Sequence, residues 1–336
     1  MDIRLNSIKD WLSNELKLSI NSITPASADA SFRRYFRAQT DQGVFIVMDA
    51  PPEKESIDGF INIAHALSDV GVHAPAIKAQ DIKKGFLLLE DLGSCTYLDI
   101  LNDNPNALYS AAIDSLIKIQ QGSNNHSLKP PLYDAEKLEQ EMDLFEHWYL
   151  GKHLNLPLNE LMKDAWRECK SVLIDACLEQ PQTWVHRDYH SRNLMVTEHD
   201  SPGVIDFQDM VVGPISYDLA SIFKDCYIQW PRHQQLSWLE EYREKANTIL
   251  EPAKLKPLTQ EKLVEWFDLT GLQRHLKVLG IFCRLNYRDG KEQYMQDLPL
   301  VAQYTLEALT LYPQLDSFKQ QFGTAIELST KQATSQ

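Results

Sequence analysis

Two short apolar runs constrain this chain more than anything else in it: WVHRDYHSRNLMV at residues 184–196, and GVIDFQD at residues 203–209. The first delivers His186, Arg187 and Asp188 at its end, with Asn193 five residues after the aspartate; the second delivers Asp206. Burying a strand that ends on charged groups costs free energy unless those groups find partners. The fold must therefore hold two strand ends and their polar cargo in fixed positions.

An aspartate beside an arginine is ordinarily a salt bridge or a loop cap. Here, however, His186, Arg187, Asp188 and Asn193 fit H-R-D-x-x-x-x-N with nothing inserted, the catalytic-loop pattern of kinase-like phosphotransferases. That chemistry needs these residue types. A carboxylate orients the acceptor hydroxyl and takes its proton, and an amide oxygen holds Mg²⁺ against nucleotide phosphates. Asp206 follows Asp188 by eighteen residues, the distance expected if NLMVT and GVIDF form a short hairpin. Such a hairpin returns Asp206 beside Asn193, giving two hard oxygen donors for Mg²⁺.

The remaining pattern is sheet first, helix afterwards. Leu5, Ile8, Trp11, Leu12 and Leu16 follow helical spacing, so the N-terminus reads as an amphipathic helix and not as a secretory signal. FRRYFRAQ and VFIVMDA, joined by TDQG, predict an antiparallel hairpin over residues 32–49. Ile57, Phe60, Ile61, Ala64 and Leu67 share one face of a helix that stops at Gly71. AIKAQ and GFLLLEDL add two strands. From Tyr97 the periodicity is helical almost throughout, apart from the patch at residues 184–207. The expectation is an α+β, two-lobed fold: a small sheet-rich N-terminal lobe over 1–93, a large helical lobe over 94–330, and a flexible tail over 331–336 that belongs to a disordered STKQATSQ.

Composition narrows the function classes. The 336 residues are 43% hydrophobic and carry a net charge of −14, which supplies a real core and speaks against a nucleic-acid partner. Five cysteines, an odd number with no C-x-x-C spacing, read as reduced thiols of a cytoplasmic protein. No window has the apolar length of a membrane span.

Over nearly its whole length the chain resembles the aminoglycoside-phosphotransferase-like branch of the kinase fold. More narrowly, ASFRRYFR, MDAPPE, HRDYHSRNLM, IDFQD…GPISYDLAS and RLNYRDGK together resemble the anomeric amino-sugar kinases of bacterial cell-wall recycling. The resemblance implies ATP- and Mg²⁺-dependent phosphorylation of the C1 hydroxyl of N-acetylmuramate and N-acetylglucosamine. It implies Asp188 as base, Asn193 and Asp206 as Mg²⁺ ligands, and LLLEDLG as the adenine hinge, with a C=O from Glu90 and an N–H from Leu92. Asp218 matches an aspartate of the family near a helix start, and its simplest reading is a carboxylate favoured by the helix dipole.

Two departures bear on the nucleotide. The loop ASADAS, residues 26–31, has no glycine, although Ser27 and Ser31, with small residues between them, leave room for N–H groups to approach phosphate. The third strand ends at Met48 where a lysine is usual. Arg33 or Arg34 is expected to replace that cation, with Lys54 a weaker candidate. Successive strand residues face opposite ways, so only one of the two arginines can point at the nucleotide.

For the acceptor, the candidates are Tyr189 and His190 beside the base, Gln208 and Asp209 beyond the metal aspartate, and Arg284 and Arg288, four apart, whose guanidinium forks suit a lactyl carboxylate. About ten residues separate Asp206 from the next helix, too few for an activation segment, so the expected substrate is a small-molecule sugar. The alternatives are a kinase for an aminoglycoside, an amino alcohol or another sugar, and a nucleotide-binding regulatory pseudokinase.

Overall fold

The computed structural model describes residues 2–27, 32–250 and 257–333. They fall into two compact units: Met1–Tyr97 with Asn193–Asp209, and Leu98–Arg192 with Met210–Gln336. The sequence division at 93/94 left residues 193–209 with the helical part. They group with the sheet unit because Val204 N donates to His73 O at 2.8 Å and Val196 N to Cys95 O at 2.9 Å.

The first unit is built on a five-stranded antiparallel sheet of order β1-β2-β3-β5-β4, with β1 at Ile20–Ser27, β2 at Arg34–Thr40, β3 at Gly43–Asp49, β4 at Ile77–Asp81 and β5 at Phe86–Glu90. The predicted hairpin is β2–β3, with Tyr35 opposite Met48 and Arg34 opposite Asp49. Period-2 alternation puts Phe36, Ala38, Val47, Phe86 and Leu88 on one face. There they pack on Ile8, Trp11 and Leu12. The expected N-terminal helix is α1, Ile3–Asp10, and its last apolar residues sit on a π-helical turn, Trp11–Glu15. Helix α2, Asp58–Asp69, buries Phe60, Ile61, Ala64 and Leu67 as its spacing predicts, with Ile57 buried at its N-cap.

The second unit is helical. After a short α3, Tyr97–Ile100, which begins at the boundary, come α4 (Pro105–Asn125), α5 (Ala135–Leu144) running into a π-helix (Phe145–His153), and α6 (Glu160–Leu178). The two-stranded pair β6 (Gln182–Val185) and β9 (Val211–Pro214) follows, then α7 (Tyr217–Phe223), α8 (Arg232–Leu250) and α9 (Gln260–Asp289). Helices α10, Leu298–Leu311, and α11, Asp316–Ala333, close the chain. Strands β7 (Leu194–Met195) and β8 (Gly203–Val204) belong to the first unit.

The long helix α9 runs through the core of this unit and ends where Gly290 turns left-handed and returns its N–H to Asn286 and Leu285 O. At Gly280 a Cβ would lie 2.3 Å from the Leu144 carbonyl carbon, so only glycine lets the two backbones meet. The expected disordered tail is corrected as far as Ala333. Ser329 is buried within α11 and its hydroxyl lies 2.5 Å from the Tyr149 hydroxyl, which ties the terminal helix to the π-helix. Residues 334–336 lie outside the described residues. The cysteines form no disulfide, and no helix among the described residues is long and apolar enough to cross a membrane.

Candidate active site

Strand β6 pairs with β9 through Val185 and Val211, and the chain leaves it at His186. The next residue, Arg187, has φ +77°, a conformation a bulky residue adopts only when its surroundings impose it. The imposing group is Asp218 in the first turn of α7. Its Oδ2 accepts from His186 N at 2.7 Å and its Oδ1 from Arg187 N at 3.0 Å. The Arg187 guanidinium pairs with Glu141 and lies over the Tyr133 ring. Farther along the loop, Ser191 N and Oγ both donate to Asp225 Oδ2, at 2.9 and 2.5 Å. Two buried acidic side chains therefore pin the backbone on both sides of Asp188.

Asp218 does stand in the first turn of a helix, as expected, but that position is not all it does. Its carboxyl group spends both oxygens on the loop that carries Asp188, and no residue type announces this because the partners are backbone groups thirty-one and thirty-two residues away. Burial pushes its carboxyl up to about 7, with the charge of Asp188 adding to the rise and the two N–H groups opposing it.

Asp188 is the opposite case. Burial would raise its carboxyl, but Lys277, His190, Arg274 and Arg187 together hold it below the usual range, so it is ionised at neutral pH. Lys277 and Arg274 both come from the middle of α9. Buried polar residues there, Asp268 and His275 on one side of the helix and Thr270, Gln273, Arg274 and Lys277 on the other, interrupt an otherwise apolar run. Those cations in FDLTGLQRHLKVLGIFC were the available signal, since a buried charge demands a partner.

The second strand end is built in the first unit. Strands β7 and β8 pair as the predicted hairpin, and Ile205 N donates to Asn193 O at 3.1 Å. Asp206, at φ +64°, is brought beside Asn193, with its Oδ2 3.4 Å from Asn193 Nδ2. Gln208 Nε2 donates to Asp206 Oδ1 at 2.7 Å, while the buried Gln208 Oε1 has no hydrogen-bond donor. A carboxylate, an amide and an orphaned amide oxygen, with no sulfur or imidazole among them, fit Mg²⁺, which takes few protein oxygens and shares its remaining positions with water and phosphate. No group of three or more His, Cys, Asp or Glu suited to a metal occurs among the described residues.

The two arginines separate by sheet face. Arg34 lies on the α1 side, opposite Asp49, and its guanidinium binds Asp49 and Asp2; Asp49 also accepts from Arg4 Nε at 2.7 Å. Arg33 is buried and pairs with Glu55, just ahead of α2, and it bonds Tyr35, whose side chain shares the face of the fully buried Met48. Lys54 Nζ lies 5.5 Å from the Phe32 ring centroid. Ser27 ends β1, paired with Tyr35, and Ser31 lies outside the described residues. At the expected hinge the Glu90 carboxylate accepts from Ala76 N at 3.1 Å and Leu92 is buried. Between them Asp91 takes a two-pronged pair from Arg37, at 2.6 and 2.9 Å, a brace the sequence did not suggest.

The acceptor candidates fare differently. Tyr189 is completely buried and donates to Ala112 O at 2.8 Å, so it anchors the loop and offers a ligand no surface. His190 meets the Tyr227 ring edge-on at 5.4 Å; burial lowers its imidazole despite Asp225 and Asp188. Asp209 is exposed. Helix α9 does persist through Arg284 and Arg288, but Arg288 is exposed and spends its fork on Asp289, at 2.7 and 2.9 Å. Arg284 is half-buried and lies ten residues, about 15 Å of helix, beyond Arg274.

Residues 22–258 match the phosphotransferase enzyme family. A protein of Pseudomonas putida named N-acetylmuramate/N-acetylglucosamine kinase is 42% identical, with 94% of each chain covered. One of the same name from Pseudomonas aeruginosa is 43% identical over 87% of this chain and 85% of its own. Among solved structures, an ADP-bound aminoglycoside phosphotransferase superposes with a TM-score of 0.58 at 15% identity, covering 92% of this chain and 99% of that one. That likeness establishes the kinase-like α+β fold.

Proposed function

We propose, from the premise that this chain belongs to the phosphotransferase enzyme family, that it uses ATP to phosphorylate the C1 hydroxyl of N-acetylmuramate and N-acetylglucosamine. The observation that carries the reading is the ionised Asp188 on a loop pinned from both sides, in a chain whose relatives of that name match along nearly its full length. Asp188 accepts a hydrogen bond from the C1 hydroxyl, turns that hydroxyl's lone pair toward the γ-phosphorus, and takes its proton as the new O–P bond forms and the bond from the γ-phosphorus to the β,γ-bridging oxygen breaks, releasing ADP. Asp218 and Asp225 keep the loop from relaxing during that step.

Asn193, Asp206 and Gln208 are the residues that would hold Mg²⁺, which supplies charge neutralisation for the phosphates when bound. Arg33, held by Glu55, takes the place of the missing strand lysine. Arg34 is committed to Asp2 and Asp49 and serves the fold. Reduced cysteines and a need for ATP suit the cytoplasm.

The test is ATP consumption with Mg²⁺ and a panel of amino sugars, aminoglycosides and amino alcohols. Turnover dependent on either N-acetylated amino sugar, and lost in Asp188→Ala, is expected. Nucleotide binding with no acceptor-dependent turnover would instead establish a regulatory pseudokinase, and turnover only with an aminoglycoside or amino alcohol would replace the acceptor.

A further inference from the structure

Among the charged residues of α9 that are almost fully buried, one is not matched, and the half-buried Arg284 also leaves its Nε without a partner among the described residues. Asp268 is paired with Lys224 at 2.6 Å and with Arg232 at 2.6 Å. Lys277 is paired with Glu141 at 3.0 Å and also donates to the Tyr217 hydroxyl at 3.2 Å. Arg274 is only 3% exposed, yet among the described residues its single hydrogen-bond partner is the Cys226 thiol, Nη1 to Sγ 3.3 Å, and no carboxylate lies within 4.0 Å. A thiol is a weak acceptor. Nε and Nη2 donate to no described residue and are not sealed from solvent. Guanidinium groups cannot shed their charge to escape burial; Asp188 is near enough to feel that charge but is not paired with it, which leaves donors for an anion that arrives from outside.

Its position says which anion. Cys226 follows Asp225, whose carboxylate holds Ser191 of the catalytic loop. Tyr227, next in sequence, carries the His190 ring. The neighbouring His275 is bound through Nε2 to Lys224 O at 3.1 Å. Arg274 is thus fixed to the segment that supports the loop carrying Asp188, within reach of its charge.

We propose that Arg274 receives the lactyl carboxylate of N-acetylmuramate and is the residue that distinguishes this acceptor from N-acetylglucosamine, which has a hydroxyl at that position. The proposal rests on the function reading above. The fork of the guanidinium offers two parallel donors to a carboxylate, and an uncharged acceptor gains nothing from it. This role replaces the one expected of Arg284 and Arg288.

The experiment measures kcat and KM for both sugars in the wild type and in Arg274→Gln, Arg274→Lys and Arg284→Gln. For Arg274→Gln, kcat should fall for both sugars, because one of the charges that keeps Asp188 ionised is lost, while KM should rise about thirty-fold or more for N-acetylmuramate and stay within about three-fold of wild type for N-acetylglucosamine. Arg274→Lys should fall between, because it keeps the charge and loses the fork. Equal losses in kcat with neither KM moved would assign Arg274 to phosphoryl transfer alone, and failure of both Arg274 variants to fold would assign it to the core. Either result, unchanged kinetics, or a muramate-specific loss in Arg284→Gln alone overturns the proposal. A wild type inactive on both sugars refutes the function reading itself, before any variant is compared.

Discussion

Replacing Asp218 by asparagine should change how stability depends on pH, not only how large it is. The carboxyl is almost completely buried, at 1% exposure, and stands at about 7 in the fold against an ordinary 3.8. A raised value means the folded protein holds the proton more tightly than the unfolded chain. The stabilising contribution is therefore complete below the unfolded value and is lost as pH rises through the folded one. At about 1.4 kcal/mol per pKa unit, the loss between about pH 5.5 and about pH 8.5 comes to about 2 kcal/mol.

Asparagine does not titrate, so the variant lacks this loss. It also turns an N–H₂ toward one of the two backbone N–H groups that Asp218 now satisfies, which costs about 2 kcal/mol at the lower pH. In urea unfolding, the gap between the two proteins should be about 2 kcal/mol at the acid end and should nearly close at the alkaline end. Other titrating groups are common to both proteins and cancel in the difference. A gap of the same size at both pH values would refute the assignment of the proton to Asp218. The catalytic readout is separate: kcat should fall at both pH values, because the His186–Arg187 backbone loses one of its two anchors.

Two further outcomes follow from contacts already described. Gly280→Ala places a Cβ 2.3 Å from Leu144 backbone and should cost at least about 2 kcal/mol of stability by forcing α9 away from the α5–π-helix junction; an unchanged urea midpoint would show that the helices can part freely. Arg33→Ala should raise the KM for ATP about tenfold, whereas Arg34→Ala should leave it unchanged and lower stability by no more than about 1 kcal/mol, since that arginine is partly exposed. The reverse pattern would mean that the sheet faces have been assigned the wrong way round.

The sheet, the hairpins and the buried face of α2 were legible because period-2 and period-3.6 patterns report local burial. So was the convergence of Asn193 and Asp206, since the short connection between β7 and β8 leaves one way to pair them. What escaped the sequence depends on distant parts of the chain. Asp218 meets backbone N–H groups, which no residue type announces. Arg33 and Arg34 are chemically identical, and only the pairing of Arg34 with Asp49 and of Tyr35 with Met48 tells them apart. Tyr189 sits next to Asp188 in the chain, yet it buries its ring and bonds Ala112. The charges of α9 that are buried stand singly among apolar residues in sequence, whereas those of the exposed cluster from Arg284 onward are dense, so local pattern favours the wrong set. The STKQATSQ tail has a disordered composition, but Ser329 and its neighbours are recruited into α11 by a contact with Tyr149 that only the fold supplies.

The most direct test of the central claim is phosphorus NMR on the product formed from ATP, Mg²⁺ and N-acetylmuramate. The account predicts a sugar phosphate whose phosphorus couples to the anomeric proton, and no such signal with Asp188→Ala. A phosphate found on the C6 hydroxyl, or the same anomeric signal from the Asp188→Ala protein at wild-type rate, would contradict it.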